Sequence, residues 1–360
     1  MTDDNIVLTV FIILPIASAV CLYVCFRRLR IHQRARVRTA ALIAGNGLVF
    51  LFLCSVVLLG GEFYYRFIYD TTDSFGLTKT TAKWIARHYV LNNYDLRDSR
   101  DYRTRLREGT RRVTFLGDSF TAGHGVANVE DRFANRYRAA RPNVDVQVVA
   151  INGYDTDYEI KLLRALKRSH NKFDLVVLVY CLNDISDVSP QWQRINRQIH
   201  RDPGHGLSGY LIQHSYFLNT LYYRWIAGHD ANVTDYYHFV LDDYRGPAWE
   251  QQKKQLTTLR DIVTGGGGRL VVVTFPFLHS LGPDYAFAPV HKQLDGFWKS
   301  IHVPHLDLLD VYRSHKPSEL VVNRFDAHPN EFAHKLAAEA IIPFLDKQLK
   351  KSTPSATERQ

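Results

Sequence analysis

The chain has 360 residues, 46% hydrophobic and 22% charged, a balance that excludes a disordered protein. Its net charge of +9 is no nucleic-acid signature, because six arginines lie in one short segment, RRLRIHQRARVR at 27–38, and without them about +3 remains. Three of the four cysteines, Cys21, Cys25 and Cys54, lie in apolar runs, so Cys181 stands alone in the rest of the chain and a disulfide framework is excluded.

Residues 6–26 and 39–61 are charge-free runs of 21 and 23 residues. At ~1.5 Å per residue each is long enough for the ~30 Å hydrocarbon core of a bilayer. A cleaved signal peptide fits less well, because the start, MTDDN, is acidic and no A-x-A-like site follows. Residues 1–61 are therefore expected to be a transmembrane hairpin. The arginine-rich loop 27–38 is expected on the cytoplasmic side, and everything after 61 on the extracytoplasmic, envelope side. Phe63, Tyr64, Tyr65, Phe67 and Tyr69 suit an interfacial aromatic belt. Pro15 and Asn46 are expected to mark a kink and a helix–helix contact.

Residues 62–110 read as a membrane-proximal connector with one amphipathic helix over 81–90. Strands and helices then alternate. Strands are expected at 111–118, 144–153, 173–184, 268–276 and 302–310, with helices at 130–140, 158–170, 249–263 and 331–349. The run FDLVVLVYCLND has no polar alternation, as a strand covered on both faces requires. Gly265–Gly268 is a helix stop and not a phosphate loop, since no G-K-[ST] follows. This pattern predicts an α/β fold, a parallel doubly wound sheet. An aromatic-rich insertion at about 189–248 interrupts it, in a place where insertions shape binding sites. A polar tail occupies 349–360.

Ligands of such sheets bind beyond the carboxyl ends of the strands. Gly117-Asp118-Ser119 follows the first strand, Asn152-Gly153 the second and Asn183-Asp184 the third, and a loop with Asp326, His328 and Asn330 precedes the last helix. A serine hydroxyl needs an adjacent base, here His328, and the base needs an orienting carboxylate, here Asp326. An oxyanion needs preorganised donors, which the backbone N–H groups of Ser119 and Gly153 and the amide of Asn183 supply. Asp118 and Asp184 are expected as supporting carboxylates. His124, in AGHG, is a second candidate base, while His334 is expected on the last helix. His302 and His305 lack a cluster at ligand spacing, so no metal and no cofactor are expected.

GDSFTAG, the glycine at the second strand end, the asparagine of LND and the D-x-H-P-N ending resemble, in order, the four blocks of the SGNH (GDSL-type) hydrolases. The resemblance covers 111 to about 348. It implies a three-layer α/β/α flavodoxin-like fold with a mainly parallel five-stranded sheet, and acyl transfer through Ser119 with His328 and Asp326. Two positions depart from the family pattern. Cys181 stands where the third block usually has glycine, and Asp326 precedes His328 by two residues where three is usual. The shorter spacing resembles that of exported polysaccharide acetyltransferases and leaves Asp326 or another carboxylate to orient His328. The expected activity is hydrolysis of acyl esters, O-acetyl esters of envelope glycans first, with no nucleic-acid partner. An O-acyltransferase using the same serine and a non-catalytic glycan-binding protein are the alternatives.

Overall fold

The structure is a computed structural model, and the residues described are 2–31, 35–199 and 203–350. Residues 32–34 of the expected arginine loop and 351–360 of the expected tail lie outside them. The chain divides into two compact units. A hairpin unit comprises 1–71, 76–84 and 200–230, and a sheet unit comprises 72–75, 85–199 and 231–360.

In the hairpin unit, α1 (Asp3–Ile31) and α2 (Ala35–Phe63) are both long and apolar enough to cross a membrane. The second helix continues into a π-helical turn, Tyr64–Ile68. Helices Leu207–His214 and Tyr216–His229 also belong to this unit. The aromatic insertion is thus not one piece, since its residues 200–230 group with the hairpin and 231–248 with the sheet. The connector 62–110 divides as well, its residues from 85 onward joining the sheet unit.

The sheet unit is built on five parallel strands: β1 (Arg111–Gly117), β2 (Val144–Ala150), β3 (Leu175–Cys181), β4 (Arg269–Phe275) and β5 (His305–Asp307). Their order, β2-β1-β3-β4-β5, is the flavodoxin-like one. Every residue of β3 is buried, which is why its sequence is continuously apolar. Helices Phe133–Ala140 and Glu331–Lys350 pack together, as do Thr156–Arg168 and Pro247–Thr264. Right-handed crossovers place the two pairs on opposite faces of the sheet. A short antiparallel hairpin, β6 (Val321–Asn323) and β7 (Asp326–Pro329), stands where the sequence suggested a loop. The strand order reverses between β1 and β3, and the carboxyl ends of those two strands frame the crevice where such folds bind ligands.

Candidate active site

Strand β1 ends at Gly117, where a Cβ would lie 2.9 Å from the Val179 carbonyl oxygen of β3. The close approach lets the chain turn sharply at the sheet edge. Asp118 then caps the single turn Ser119–Ala122, its carboxylate accepting the Phe120 N–H at 2.8 Å. Gly123 ends that turn in the left-handed conformation, φ +74°, with the Arg132 side chain 2.6 Å from where a Cβ would sit. Ser119 is thereby fixed at the tip of β1.

Strand β7 carries Asp326 and His328. On a strand, residues two apart share a face, so the D-x-H spacing puts Asp326 and His328 side by side. His328 Nδ1 bonds Asp326 Oδ1 at 2.5 Å, and His328 Nε2 lies 2.8 Å from Ser119 Oγ. The two bonds join serine, histidine and carboxylate in one line. With Nδ1–H donated to Asp326, Nε2 is left to accept the serine proton. The shortened spacing, a departure in sequence, is what a strand requires where a longer one would suit a turn.

The three expected oxyanion donors follow β1, β2 and β3. Gly153 has φ +75° and open space where a Cβ would be. The glycine there serves backbone conformation and not packing. Asn183 opens the 3-10 turn Leu182–Val188, and its Nδ2 donates to Asp118 Oδ2 at 3.4 Å. The departure at Cys181 has a simple basis. Its backbone is extended, φ −98° and ψ 150°, so nothing at that position calls for glycine. Asp184 accepts the Cys181 N–H at 2.9 Å and pins the turn.

Several residues of this site were invisible in the sequence. Thr72 Oγ1 donates to Asp326 Oδ2. The Ser74 hydroxyl accepts the Ala327 N–H at 2.8 Å. Both come from a segment read as connector. The Arg97 guanidinium, buried, donates to the carbonyls of Ala122, Gly123, Val126 and Ala127 and fastens the loop after Ser119. His124 makes no bond to Ser119, whose hydroxyl is bonded to His328. It lies beside that ring, centroids 4.5 Å apart. Its Nδ1 accepts from Asn152 Nδ2 at 2.9 Å, which makes Nε2 the protonated nitrogen, 3.1 Å from the Asp73 carbonyl and 3.5 Å from Asp326 Oδ2. Asn152 is also bonded to the Tyr89 hydroxyl, again from the former connector. His334 and His305 are bonded elsewhere. His334 Nδ1 accepts the Phe133 N–H at 3.3 Å, and His305 bonds Thr274 Oγ1 at 2.9 Å.

The electrostatics divide the roles. Burial disfavours the Asp326 carboxylate, but His328, His124 and Thr72 outweigh it and hold the group well below the usual carboxylate range. Burial likewise opposes protonated His328, and the Asp326 charge outweighs it, so the imidazole stays above its ordinary value. His124 is pushed down to about 4 by burial and by His328, and is neutral. Among the described residues, His124, Asp326 and His328 form the one group whose ligand atoms are close enough for a metal ion, within 4.8 Å of one another. Those same atoms make the hydrogen bonds given above, and the arrangement they form is that of acyl-transfer chemistry.

No family model and no curated protein matches the chain. Solved structures with a similar chain path include a lipolytic G-D-S-L family member from Veillonella parvula, at 14% identity and TM-score 0.40, over 65% of this chain and 97% of that one. An extracellular lipase from Streptomyces rimosus matches at 14% identity and TM-score 0.41, over 66% and 99%. A two-domain esterase active on acetylated mannans matches at 15% identity and TM-score 0.37, over 68% and 51%. The chemistry assigned to this chain rests on its own residues.

Proposed function

We propose that this chain is a serine acyl-ester hydrolase held at a membrane by α1 and α2, with its sheet unit on the extracytoplasmic side and O-acetyl esters of envelope glycans as its substrates. The observation that carries the reading is the line from Ser119 Oγ through His328 to Asp326, with bonds of 2.8 and 2.5 Å. Ser119 Oγ attacks the ester carbonyl while His328 Nε2 takes its proton. The tetrahedral oxyanion is held by the N–H groups of Ser119 and Gly153 and by Asn183 Nδ2. His328 returns the proton to the leaving alcohol, and water, activated by the same imidazole, releases the acyl group from Ser119. Asp326 orients the imidazole and offsets its charge at each proton transfer. The arginine-rich segment between the helices supports the orientation.

The test is turnover of p-nitrophenyl acetate by the full chain in detergent micelles, wild type beside Ser119→Ala. Serine-dependent turnover supports the reading. Equal inertness of two folded proteins overturns free esterase activity. The D-x-H spacing favours one second reading, transfer of the same acyl group from Ser119 to a sugar hydroxyl. Acylated oligosaccharide formed when glycans are added would select it.

A further inference from the structure

Helix Tyr216–His229 is apolar on the side that its own unit leaves uncovered. Asn219, Thr220 and Ile226 are buried. On the opposite side Leu221 and Trp225, one turn apart, are 45% and 61% exposed, with Gly228 continuing the stripe and His229 stacked on the Trp225 ring, centroids 5.4 Å apart. Arg224 is turned inward, its guanidinium donating to the hydroxyls of Tyr65 (2.9 Å) and Tyr69 and lying 5.4 and 5.0 Å from their rings. A water-facing helix carries charge on its outer side, whereas an outer side as apolar as this one suits an apolar medium. The preceding helix, Leu207–His214, begins with a fully presented Leu207.

Position supplies the second observation. Ser215 Oγ and the Phe217 N–H both donate to Glu62 Oε2, at 2.7 and 3.1 Å, and His214 Nδ1 bonds Asp4 Oδ1 at 2.9 Å. Arg66 joins the same collar through Glu62 Oε1 (3.0 Å) and the Asp4 carbonyl (2.7 Å). The two helices are therefore seated where α1 begins and α2 ends. That end of the hairpin also exposes Phe63, Tyr64, Phe67 and Ile68. Aromatic side chains in this register mark the level of the lipid headgroups.

We propose that Leu207–His214 and Tyr216–His229 are an interfacial foot, with Leu221 and Trp225 inserted at the boundary of headgroups and acyl chains of the bilayer that the hairpin crosses. The inference rests on the reading of α1 and α2 as membrane spans. Its occupant is lipid, because the exposed stripe continues the apolar surface of a helix end that is itself at the membrane. The insertion thus adds a second, peripheral contact to the two spans.

Trp225 reports on this directly. Among the five tryptophans, Trp84, Trp249 and Trp298 are buried and Trp192 is half-buried. The full chain is reconstituted at low protein density in phosphatidylcholine vesicles carrying bromine at a shallow or a deep acyl position. The emission lost in Trp225→Phe is taken as the Trp225 component. It is expected to be quenched roughly twofold or more by shallow bromine, less by deep bromine, and little by aqueous acrylamide, as an interfacial depth of ~5–10 Å requires. A component quenched by acrylamide and not by bromine, in a chain that resists alkaline carbonate extraction, overturns the foot and leaves the spans standing. Shielding from both quenchers that disappears on dilution in lipid overturns it in favour of a second copy. Release of the chain by carbonate overturns the spans and the foot together.

Discussion

Asp326 and Glu159 are carboxylates withdrawn from water in the same unit, and their surroundings drive them in opposite directions. Around Asp326 stand His328, His124 and the Thr72 hydroxyl, and the group is held ionised against the cost of burial. Around Glu159 stand further acids. Burial, then Asp118, Asp155 and Asp187, all push it up, and neither of its oxygens has a hydrogen-bond partner among the described residues. Asp184 is raised by burial, Asp118 and Glu159, and Asp155 by burial and Asp187, to about 7. Burial alone does not settle the state of a carboxyl group. A donor or cation in contact does. The carboxylate held low is the one in line with Ser119, while the carboxyls that Asp118 helps push up include Asp184, in the turn that carries Asn183.

Five experiments break or sharpen this contrast. Ser119→Ala is expected to cost most, about 10⁵- to 10⁶-fold in kcat for ester turnover, with the circular-dichroism spectrum unchanged. Asp326→Asn removes the charge and almost no volume, and a loss on the order of 10³- to 10⁴-fold is expected in kcat. A loss under tenfold there would mean that another group orients His328. Asn183→Ala removes one oxyanion donor, and its kcat is expected to fall about 10²- to 10³-fold.

The fourth concerns pH. His328 must be neutral to act, and its affinity for a proton is raised, so the acid limb of kcat/KM is expected above the ordinary histidine value of ~6.5. A limb below that value would contradict the electrostatic assignment. Stability is expected to move the other way. From the ordinary carboxylate value near ~4 up to about 7, the folded cluster keeps protons that the unfolded chain has released, so stability falls as pH rises. In Glu159→Gln, denaturant titrations at pH 5 and pH 8 should differ less than in wild type. An unchanged difference would place the proton uptake elsewhere.

Much of the sheet unit was legible because its strands are apolar runs ended by Gly, Asn and Asp, and because Ser119, Gly153 and Asn183 each follow a strand. The pairing of His328 with Asp326 was legible too, but its setting was not. Strands β6 and β7 have three and four residues, too few for a periodic signal. Thr72 reaches Asp326 across 254 positions, and Tyr89 reaches Asn152 across 63. No local pattern announces such partners. The insertion was legible only as aromatic-rich, since aromatic residues suggest a substrate cleft as readily as an interface, and the partners of Tyr216–His229 in the hairpin unit are far away in sequence.

Gly61 carries a consequence of its own. A Cβ there would meet the Phe217 ring at 2.6 Å, so the last turn of α2 is shaped to receive a side chain 156 positions further on. The hairpin's collar is finished only after the first three strands of the sheet have left the ribosome. It also defeats the simplest route to a soluble protein. A chain cut at Glu62 keeps helices Leu207–His214 and Tyr216–His229 but loses Asp4 and the apolar helices beside them, and so gains a sticky surface it did not have. Removing the two apolar helices cleanly takes two deletions, one at the start of the chain and one that replaces 200–230 with a short linker.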